Sequence, residues 1–331
     1  MKVAAVKIRG AGGPEVLELG EHELPELGPE QIRVRVVAAG LNRADLLQRR
    51  GRYPAPPGVP PDVPGLEYAG VVEACGARVH DHPIGEAVMG ITAGGAMAEA
   101  VVVHAREAIP VPKGLGPLQA AAIPEVFFTA WDALFRQADL RAGSLLLVHA
   151  AASGIGTAAI QLARLTGASV VGTSRDAAKL AELEALGLKL DESLLVDRET
   201  PRFADVLKEK VGRGADVILD GVGGGYLGEN IAALEARGRL VVIGLLAGAT
   251  GELPLGMLLQ KRASIVGTVL RSRPIEEKIA LARDFDHHTR AAFESNKMRP
   301  IIADVMPMKD IAEAHRRLEA NDVVGKLVLS W

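Results

Sequence analysis

The segment from residue 145 to residue 165 joins an apolar run to small residues whose spacing suits phosphate binding. Leu145–Val148 predicts a buried strand, and residues 157–165 carry the apolar spacing of an amphipathic helix. Between them lies Ser153-Gly154-Ile155-Gly156. Glycines in a strand-to-helix turn let backbone amides approach a pyrophosphate, and the helix dipole favours an anion there. The segment therefore predicts a dinucleotide-binding turn.

This turn departs from the usual G-x-G-x-x-G pattern at its first position, where Ala151 or Ala152 stands. The same residues would also fit a tight strand-to-helix turn that holds no ligand. The strand before the turn and the helix after it favour the phosphate site. In that interpretation Gly154 allows close approach to the phosphates, and Gly156 allows the helix to pack against the strand.

The residues after the second predicted strand, 169–171, bear on which dinucleotide is bound. An acidic residue there would accept hydrogen bonds from the adenosine ribose of NAD, whereas hydroxyls and cations suit the 2′-phosphate of NADPH. Ser174, Arg175 and Lys179 supply that second chemistry, and Asp176 is expected to cap the next helix. The cluster favours NADPH, and its alternative is a solvated helix start.

The elements that must position these residues change character near Pro124. Residues 1–124 contain short alternating runs with many turns, which indicates a β-rich domain. After Pro124, apolar runs alternate with amphipathic segments, which predicts a parallel sheet covered by helices. We expect an α/β fold with a Rossmann doubly wound sheet at 125–272. The β-rich domain would comprise 1–124 and 273–331, with a cleft between the two domains.

The composition excludes several classes of protein. The 331 residues carry a net charge of −3 and a single cysteine, Cys75. One thiol allows neither an intramolecular disulfide nor a four-cysteine zinc site. The lack of a Lys/Arg cluster argues against dedicated nucleic-acid binding, and no apolar run reaches the ~18 residues that a membrane helix needs. Because the N-terminus lacks a signal-peptide pattern, we expect a cytoplasmic protein.

Several segments spread over the whole chain resemble one known family. They are GLNRADLLQRRGRY at 40–53, PGLEYAG at 64–70, the turn at 153–156, LRSR at 270–273, Ala314-His315 and Gly325-Lys326. On these segments the sequence resembles the quinone oxidoreductase (zeta-crystallin-like) family of zinc-independent medium-chain dehydrogenases/reductases. It is most similar to the tumour-suppressor-inducible branch of that family.

The resemblance implies a GroES-like catalytic domain formed by both termini and a central Rossmann domain that binds NADPH. It also implies a homodimer joined edge to edge through the Rossmann sheets. Residues 263–270 are the expected edge strand for that contact, because an unpaired apolar edge would otherwise invite aggregation.

The resemblance further implies that no metal takes part. Zinc-dependent relatives carry a cysteine ligand near Asn42 and a histidine ligand at the position of Leu66. Leucine has no lone pair to give, and an amide is a poor replacement for a thiolate. The eight histidines include the adjacent His287 and His288 and are otherwise scattered, so we expect ordinary surface or core residues.

By the same resemblance, Asn42, Tyr53 and Thr129 lie near the nicotinamide and the acceptor. The Tyr53 phenol would be protonated at neutral pH and could donate a hydrogen bond to an acceptor oxygen. Tyr53 could instead only pack on the proline-rich loop that it begins, and Asn42 could be a turn residue. The other cofactor contacts that the resemblance implies are Gly221, Val222, Gly244, Leu245, Leu246, Leu270, Arg271 and Ser272.

One position departs from the family pattern. Where relatives often place a tyrosine over the 2′-phosphate, this chain has Asp197, whose carboxylate would repel that phosphate. Arg175 or Arg198 would have to compensate for NADPH to be preferred.

Together these features predict a zinc-independent, NADPH-dependent reductase that transfers a hydride or single electrons to ortho- or para-quinones. Two alternatives stay open. The chain could reduce the activated double bond of an alkenal or enone, or it could bind NADPH with little turnover. The partner is a small molecule in each case, and the sequence does not separate one-electron from two-electron transfer.

Overall fold

The computed structural model describes residues 1–197 and 201–331, which form two compact units. The first unit comprises Met1–Phe128 and Leu270–Trp331, and the second comprises Thr129–Val269. The strands are β1 (Lys2–Ile8), β2 (Leu17–Glu23), β3 (Gln31–Leu41), β4 (Glu67–Cys75), β5 (Ala87–Ile91), β6 (Ala100–His104), β7 (Ile109–Pro110), β8 (Leu145–Val148), β9 (Ser169–Ser174), β10 (Glu192–Leu195), β11 (Ala215–Asp220), β12 (Leu234–Val242), β13 (Ser264–Gly267), β14 (Ile302–Pro307) and β15 (Lys326–Ser330). The α-helices are α1 (Arg43–Arg49), α2 (Pro117–Ala120), α3 (Pro124–Trp131), α4 (Gly154–Thr166), α5 (Ala177–Ala185), α6 (Ala204–Val211), α7 (Leu227–Ala233), α8 (Leu255–Lys261), α9 (Ile275–Glu294) and α10 (Ile311–Ala320).

A seven-stranded sheet forms the centre of the first unit. Its order is β14-β15-β3-β4-β5-β7, and β6 also pairs with β3. Ile32, Val34 and Val36 of β3 are buried in one core cluster, because alternate residues of a strand point to the same face. The tail strand β15 runs antiparallel to β3, with Leu327 opposite Leu41. This register brings the start of β15 next to the residues that follow β3.

The start of helix α3 is fixed by aromatic packing within the first unit. Phe128 of α3 lies 4.8 Å from Phe285 of α9 between ring centroids, and Phe127 lies 5.2 Å from Phe293. All four rings are buried, so this contact removes a large apolar area from water. The packing therefore holds the first turn of α3, which carries Glu125, in one position.

Six parallel strands form the sheet of the second unit, in the order β10-β9-β8-β11-β12-β13. Every residue of β8 is buried, as expected for the central strand of a parallel sheet. The order reverses between β8 and β11, and doubly wound sheets bind ligands beside such a point. The predicted α/β fold with a Rossmann-type parallel sheet is confirmed.

Among the residues described, no helix combines the length and the apolar character needed to cross a membrane.

Candidate active site

Four of the segments predicted to contact the cofactor meet at one edge of the second unit's sheet. They lie at or just beyond the carboxyl ends of four parallel strands: Ser153 to Gly156 after β8, Ser174 and Arg175 at β9, Gly221 and Val222 after β11, and Gly244 to Leu246 after β12. Two of these loops are hydrogen-bonded directly, since the N–H of Ala247 donates to the Val222 carbonyl over 2.7 Å. This is the edge at which doubly wound sheets bind ligands.

The turn between β8 and α4 contains backbone N–H donors that bear on phosphate binding. The Ser153 hydroxyl caps α4 and accepts a hydrogen bond from the N–H of Gly156 over 3.1 Å. The N–H groups of Gly154 and Ile155 have no acceptor among the described residues. They lie at the positive end of a 13-residue helix, where a phosphate is stabilised.

The glycine at position 156 is required by the backbone of the turn itself. A Cβ atom there would lie 2.4 Å from the carbonyl oxygen of Ala151 and 2.6 Å from that of Ala150. Gly156 was expected to let the helix pack against the strand, whereas its close neighbours are the carbonyls of Ala150 and Ala151. Ala150 has φ of +51°, a left-handed conformation that is costly for a residue with a Cβ atom.

A buried polar network, which the sequence analysis missed, connects the ends of β8, β9 and β11. The His149 ring contacts Asn230 Oδ1 through Nε2 over 2.7 Å and Thr173 Oγ1 through Nδ1 over 2.9 Å. Asn230 donates to Asp220 over 2.9 Å, and Asp220 also accepts from the N–H of Val222 over 2.6 Å. Burial lowers the pKa of His149 and therefore favours a neutral ring. The network fixes the loop that carries Val222.

The end of β9 carries the hydroxyl and the cations predicted for a 2′-phosphate. Ser174 Oγ accepts a hydrogen bond from the N–H of Asp176 over 3.1 Å, and Arg175 is exposed. Lys179 is half-buried one turn into α5. Asp176 accepts from the N–H of Ala178 over 2.9 Å, which confirms the predicted helix cap.

An acidic group lies beside this cluster. The N–H of Val196 donates to the Ser174 carbonyl over 2.9 Å, because β10 runs parallel to β9. The next residue, Asp197, is exposed at the same edge of the sheet. Arg198, which the sequence analysis named as a possible counter-charge, lies outside the described residues.

These residues fit a nicotinamide dinucleotide. The two unpaired amides of the turn suit a pyrophosphate, and a hydroxyl with a nearby guanidinium suits the adenosine end.

The first unit contains a buried ammonium–carboxylate cluster where β3, β4 and β15 meet. Lys326 Nζ donates to Asn42 Oδ1 and to Glu67 Oε1 over 2.6 Å each, and to the Leu41 carbonyl over 2.8 Å. The side chains of Lys326 and Glu67 are 4% and 0% exposed. Three acceptors use all three protons of the ammonium, so this charge is satisfied inside the protein.

Asn42 and Asp45 extend the cluster into the start of α1. Asn42 Nδ2 donates to Glu67 over 2.8 Å and to the Gly40 carbonyl over 3.3 Å, so its amide is fully engaged. Asp45 accepts from the N–H of Asn42 over 2.8 Å and of Gly65 over 3.0 Å. Burial raises the pKa of Asp45 to about 6, and these two hydrogen bonds offset part of that effect. Asn42 is thus a positioned member of the cluster as well as the residue that precedes α1.

Arg271 holds Tyr53 and the chain around it. The guanidinium carbon lies 4.6 Å from the centre of the Tyr53 ring, and Nη1 donates to the Tyr53 carbonyl over 3.0 Å. The other nitrogens donate to Gln48 Oε1 over 2.7 Å and to the Ala93 carbonyl over 2.6 Å. Burial first, and the Glu125 carboxylate second, raise the pKa of Tyr53, so its phenol is protonated at neutral pH. Two residues predicted separately are therefore in direct contact.

Glu125 and Lys326 were not assigned to the site from the sequence. The N–H of Glu125 donates to Glu67 Oε2 over 2.8 Å, which ties α3 to the cluster. Both residues stand in apolar surroundings, Glu125 in the segment 122–128 and Lys326 at the start of the segment 326–329. The signal available in the sequence was a charged residue within an apolar run. Such a run is expected to be buried, and a charged side chain is rarely buried unless it is paired.

The remaining predicted residues have simpler surroundings. Thr129 is half-buried in α3, Leu270 is buried, and Ser272 is exposed next to Arg271. Leu66, at the position of the missing histidine ligand, is buried. Within the described part of the chain, no group of three or more His, Cys, Asp or Glu side chains is placed to hold a metal ion.

Two family models match the chain. The alcohol dehydrogenase GroES-like domain matches residues 28–113, and the zinc-binding dehydrogenase domain matches residues 154–285. Phthioceranic/hydroxyphthioceranic acid synthase of Mycobacterium tuberculosis is 37% identical over 241 residues, which are 72% of this chain but 11% of that synthase. The match is therefore to a small part of a much longer protein.

Other relatives match along the whole chain. Quinone oxidoreductase of Sus scrofa is 31% identical over 333 residues, covering 99% of this chain and 97% of the relative. The structure of Escherichia coli quinone oxidoreductase complexed with NADPH is 27% identical, with a TM-score of 0.87 over 99% of this chain and 100% of that one. The JamJ enoyl reductase structure is 26% identical, with a TM-score of 0.87 over 100% of this chain and 99% of that one. The chain belongs to the quinone oxidoreductase family of the medium-chain dehydrogenases/reductases, a family of oxidoreductases.

Proposed function

We propose that the chain is an NADPH-dependent reductase of ortho- or para-quinones. The observation that carries the proposal is a full-length similarity to quinone oxidoreductases in a chain whose phosphate-binding turn offers two unpaired amides. One similar structure is a quinone oxidoreductase complexed with NADPH, which supports this cofactor. Bound NADPH supplies a hydride, or electrons singly, to the acceptor.

In this proposal the second unit binds the cofactor through the residues at its strand ends. The amides of Gly154 and Ile155 hold the pyrophosphate, while Ser174, Arg175 and Lys179 hold the 2′-phosphate. The other contacts of the second unit come from Ser153, Gly156, Gly221, Val222, Gly244, Leu245 and Leu246.

The first unit positions the acceptor. The Tyr53 phenol is fixed by Arg271 and donates a hydrogen bond to an acceptor oxygen. Asn42 orients the buried cluster, because both of its amide protons already bind Glu67 and Gly40.

We further propose that the reaction needs no zinc. The ammonium of Lys326 supplies the positive charge that Glu67 requires and also engages Asn42 Oδ1, so these oxygens are not available to a metal ion. Activity that persists after exhaustive chelation, in protein free of zinc by elemental analysis, is the expected result. Loss on chelation and recovery with added zinc would contradict it.

The acceptor class is tested by following NADPH oxidation with a panel of quinones and a panel of alkenals and enones. We expect turnover with quinones, and product analysis under anaerobic conditions then separates hydride from single-electron transfer. The similarity to an enoyl reductase structure favours double-bond reduction as the second candidate. Activity with alkenals or enones alone would select that candidate. Tight NADPH binding without turnover in either panel would select a cofactor-binding protein.

The cofactor preference depends on the charges beside Ser174. Replacing Arg175 by Ala is expected to weaken NADPH binding about tenfold, with little change for NADH, because only NADPH carries the 2′-phosphate. Replacing Asp197 by Asn is expected to shift the preference toward NADPH, because it removes a repelling charge. Fluorescence titration with both cofactors measures the two shifts.

Lys208→Ala removes an exposed cation from α6 of the same unit and serves as the control for these titrations. An Arg175→Ala variant that loses affinity equally for both cofactors would place the 2′-phosphate elsewhere.

We also propose a homodimer joined through β13. This strand ends the order of the sheet, and Ile265 on it is 37% exposed, so its edge is open to a second copy. Ile265→Arg is expected to give a monomer by light scattering, whereas Leu195→Arg on β10, at the opposite edge, is expected to leave the dimer intact. A wild-type monomer, or dissociation by both variants alike, would contradict the proposed interface.

A further inference from the structure

Glu125 has a backbone that is fixed in place and a carboxyl group that has no hydrogen-bond partner among the described residues. It is the second residue of α3, whose start is held by the packing of Phe127 and Phe128 on α9. Its N–H is bound to Glu67 over 2.8 Å. The carboxyl oxygens make no hydrogen bond to the residues that the structure describes, and the side chain is only partly exposed. The group is therefore oriented by its backbone and available to a ligand.

The charges around Glu125 make ionisation unfavourable. Burial is the main cause that raises its pKa to about 8, and the carboxylates of Glu67 on β4 and Asp45 on α1 act in the same direction. Lys326 on β15 and Arg271 lower the pKa, by less. Both cations are already engaged, since the Lys326 ammonium has three acceptors and Arg271 binds Tyr53, Gln48 and Ala93. Glu125 is consequently protonated at neutral pH and carries an O–H donor.

The neighbouring phenol differs from this carboxyl in what it can do. Glu125 acts electrostatically on Tyr53 and contributes to the rise in the pKa of that phenol. A phenol with a raised pKa donates a hydrogen bond but gives up its proton poorly at neutral pH. General acids work best when their pKa lies near the working pH, which favours the carboxyl for proton transfer. We therefore assign hydrogen bonding to Tyr53 and proton donation to Glu125.

We propose that Glu125 is the catalytic acid that protonates the reduced acceptor. This inference rests on the proposed function. A hydride from the reduced cofactor, which the strand-end residues of the second unit would hold, would convert the quinone to a hydroquinone anion with a negative charge on oxygen. The O–H bond of the Glu125 carboxyl then breaks as a new O–H bond forms on that oxygen. The hydroquinone leaves, and the Glu125 carboxylate recovers a proton from water, so one hydride and one proton are consumed in each turnover.

The test is the Glu125→Gln variant, which keeps the size and polarity of the side chain but has no acidic proton. We expect kcat with a quinone to fall by about 10²-fold, the order of a lost general acid. Wild-type kcat should decline as the pH rises above about 8, where the carboxyl is ionised, and the variant should lack this decline. Glu125→Asp, which restores the acid on a shorter side chain, should recover part of the rate. NADPH affinity should be unchanged in both variants, which reports an intact second unit.

A readout that needs no turnover is the pH dependence of stability. A carboxyl with a raised pKa in the folded state binds more protons there than in the unfolded chain, so the free energy of unfolding falls as the pH rises toward about 8. Glu125→Gln should flatten this fall. Glu107→Gln is the control, because Glu107 is another partly buried carboxyl of the first unit with a raised pKa, and it contacts Lys278. This control should leave kcat and its pH profile unchanged.

The outcomes separate this inference from the proposed function. A wild-type chain that reduces quinones while Glu125→Gln matches its rate and pH profile overturns the role of Glu125 alone. Equal pH dependence of stability in the wild type and in Glu125→Gln also overturns the role of Glu125 alone. A wild-type chain that binds NADPH but reduces no quinone overturns the proposed function, and the inference about Glu125 with it.

Discussion

Replacing Lys326 by Met is expected to lower the free energy of unfolding by about 3–5 kcal/mol, the usual cost of breaking a buried ion pair by removing one partner. The methionine fills a similar volume but donates none of the three hydrogen bonds that Lys326 makes to Asn42, Glu67 and Leu41. The carboxylate of Glu67, which is fully buried, then loses its counter-charge. Urea denaturation measures the effect.

A double variant tests whether this loss comes from the unpaired charge. The double variant Lys326→Met/Glu67→Gln removes both charges and should recover more than half of the loss, because a neutral pair leaves no buried charge uncompensated.

Lys2→Met provides the control for the ion pair. Lys2 binds Glu21 over 2.8 Å, but the two side chains are 67% and 73% exposed, so the change should cost no more than about 1 kcal/mol. A Lys326→Met protein as stable as Lys2→Met would show that the ammonium of Lys326 is not needed to compensate the buried charge of Glu67.

Replacing Gly156 by Ala is expected to lower both the free energy of unfolding and the affinity for the cofactor. The added Cβ would meet two backbone carbonyl oxygens at 2.4 and 2.6 Å, and backbone cannot move aside as a flexible side chain can. We expect a loss of about 3 kcal/mol in the free energy of unfolding, at the upper end for overpacking. The displaced turn should also weaken NADPH binding by about tenfold or more, because the amides of Gly154 and Ile155 change direction.

Gly256→Ala is the control for this variant. Gly256 lies in α8 of the same unit, and a Cβ added there has no atom within 4 Å. It should be neutral or slightly stabilising, since alanine has the higher helix propensity. Isothermal titration well below the unfolding midpoint separates binding from stability. Unchanged NADPH affinity in folded Gly156→Ala would mean that the pyrophosphate lies elsewhere.

The features of this protein that depend on neighbouring residues could be predicted from local patterns. The strand, the turn and the helix at 145–166 are each encoded by neighbouring residues, and Ser153 and Asp176 are caps that act within three residues of themselves. The α/β fold class followed from the alternation of such segments. The side chains of Leu66 and Asn42 were also informative about metal binding. Leucine has no lone pair to give and an amide is a poor replacement for a thiolate, whatever surrounds them.

Which distant charges meet depends on the tertiary fold and could not be predicted from the sequence. Lys326 and Glu67 are 259 positions apart, and it is the register of β15 on β3 that brings the ammonium to the residues after β3. Glu125 reaches Glu67 across 58 positions because aromatic packing fixes α3. Whether a charged residue is solvated, paired or held protonated depends on its burial and on the charges around it, and a linear pattern specifies neither. The turn proposed to bind phosphate was therefore visible in the sequence, whereas the buried cluster and the Glu125 carboxyl beside it appeared only in the folded chain.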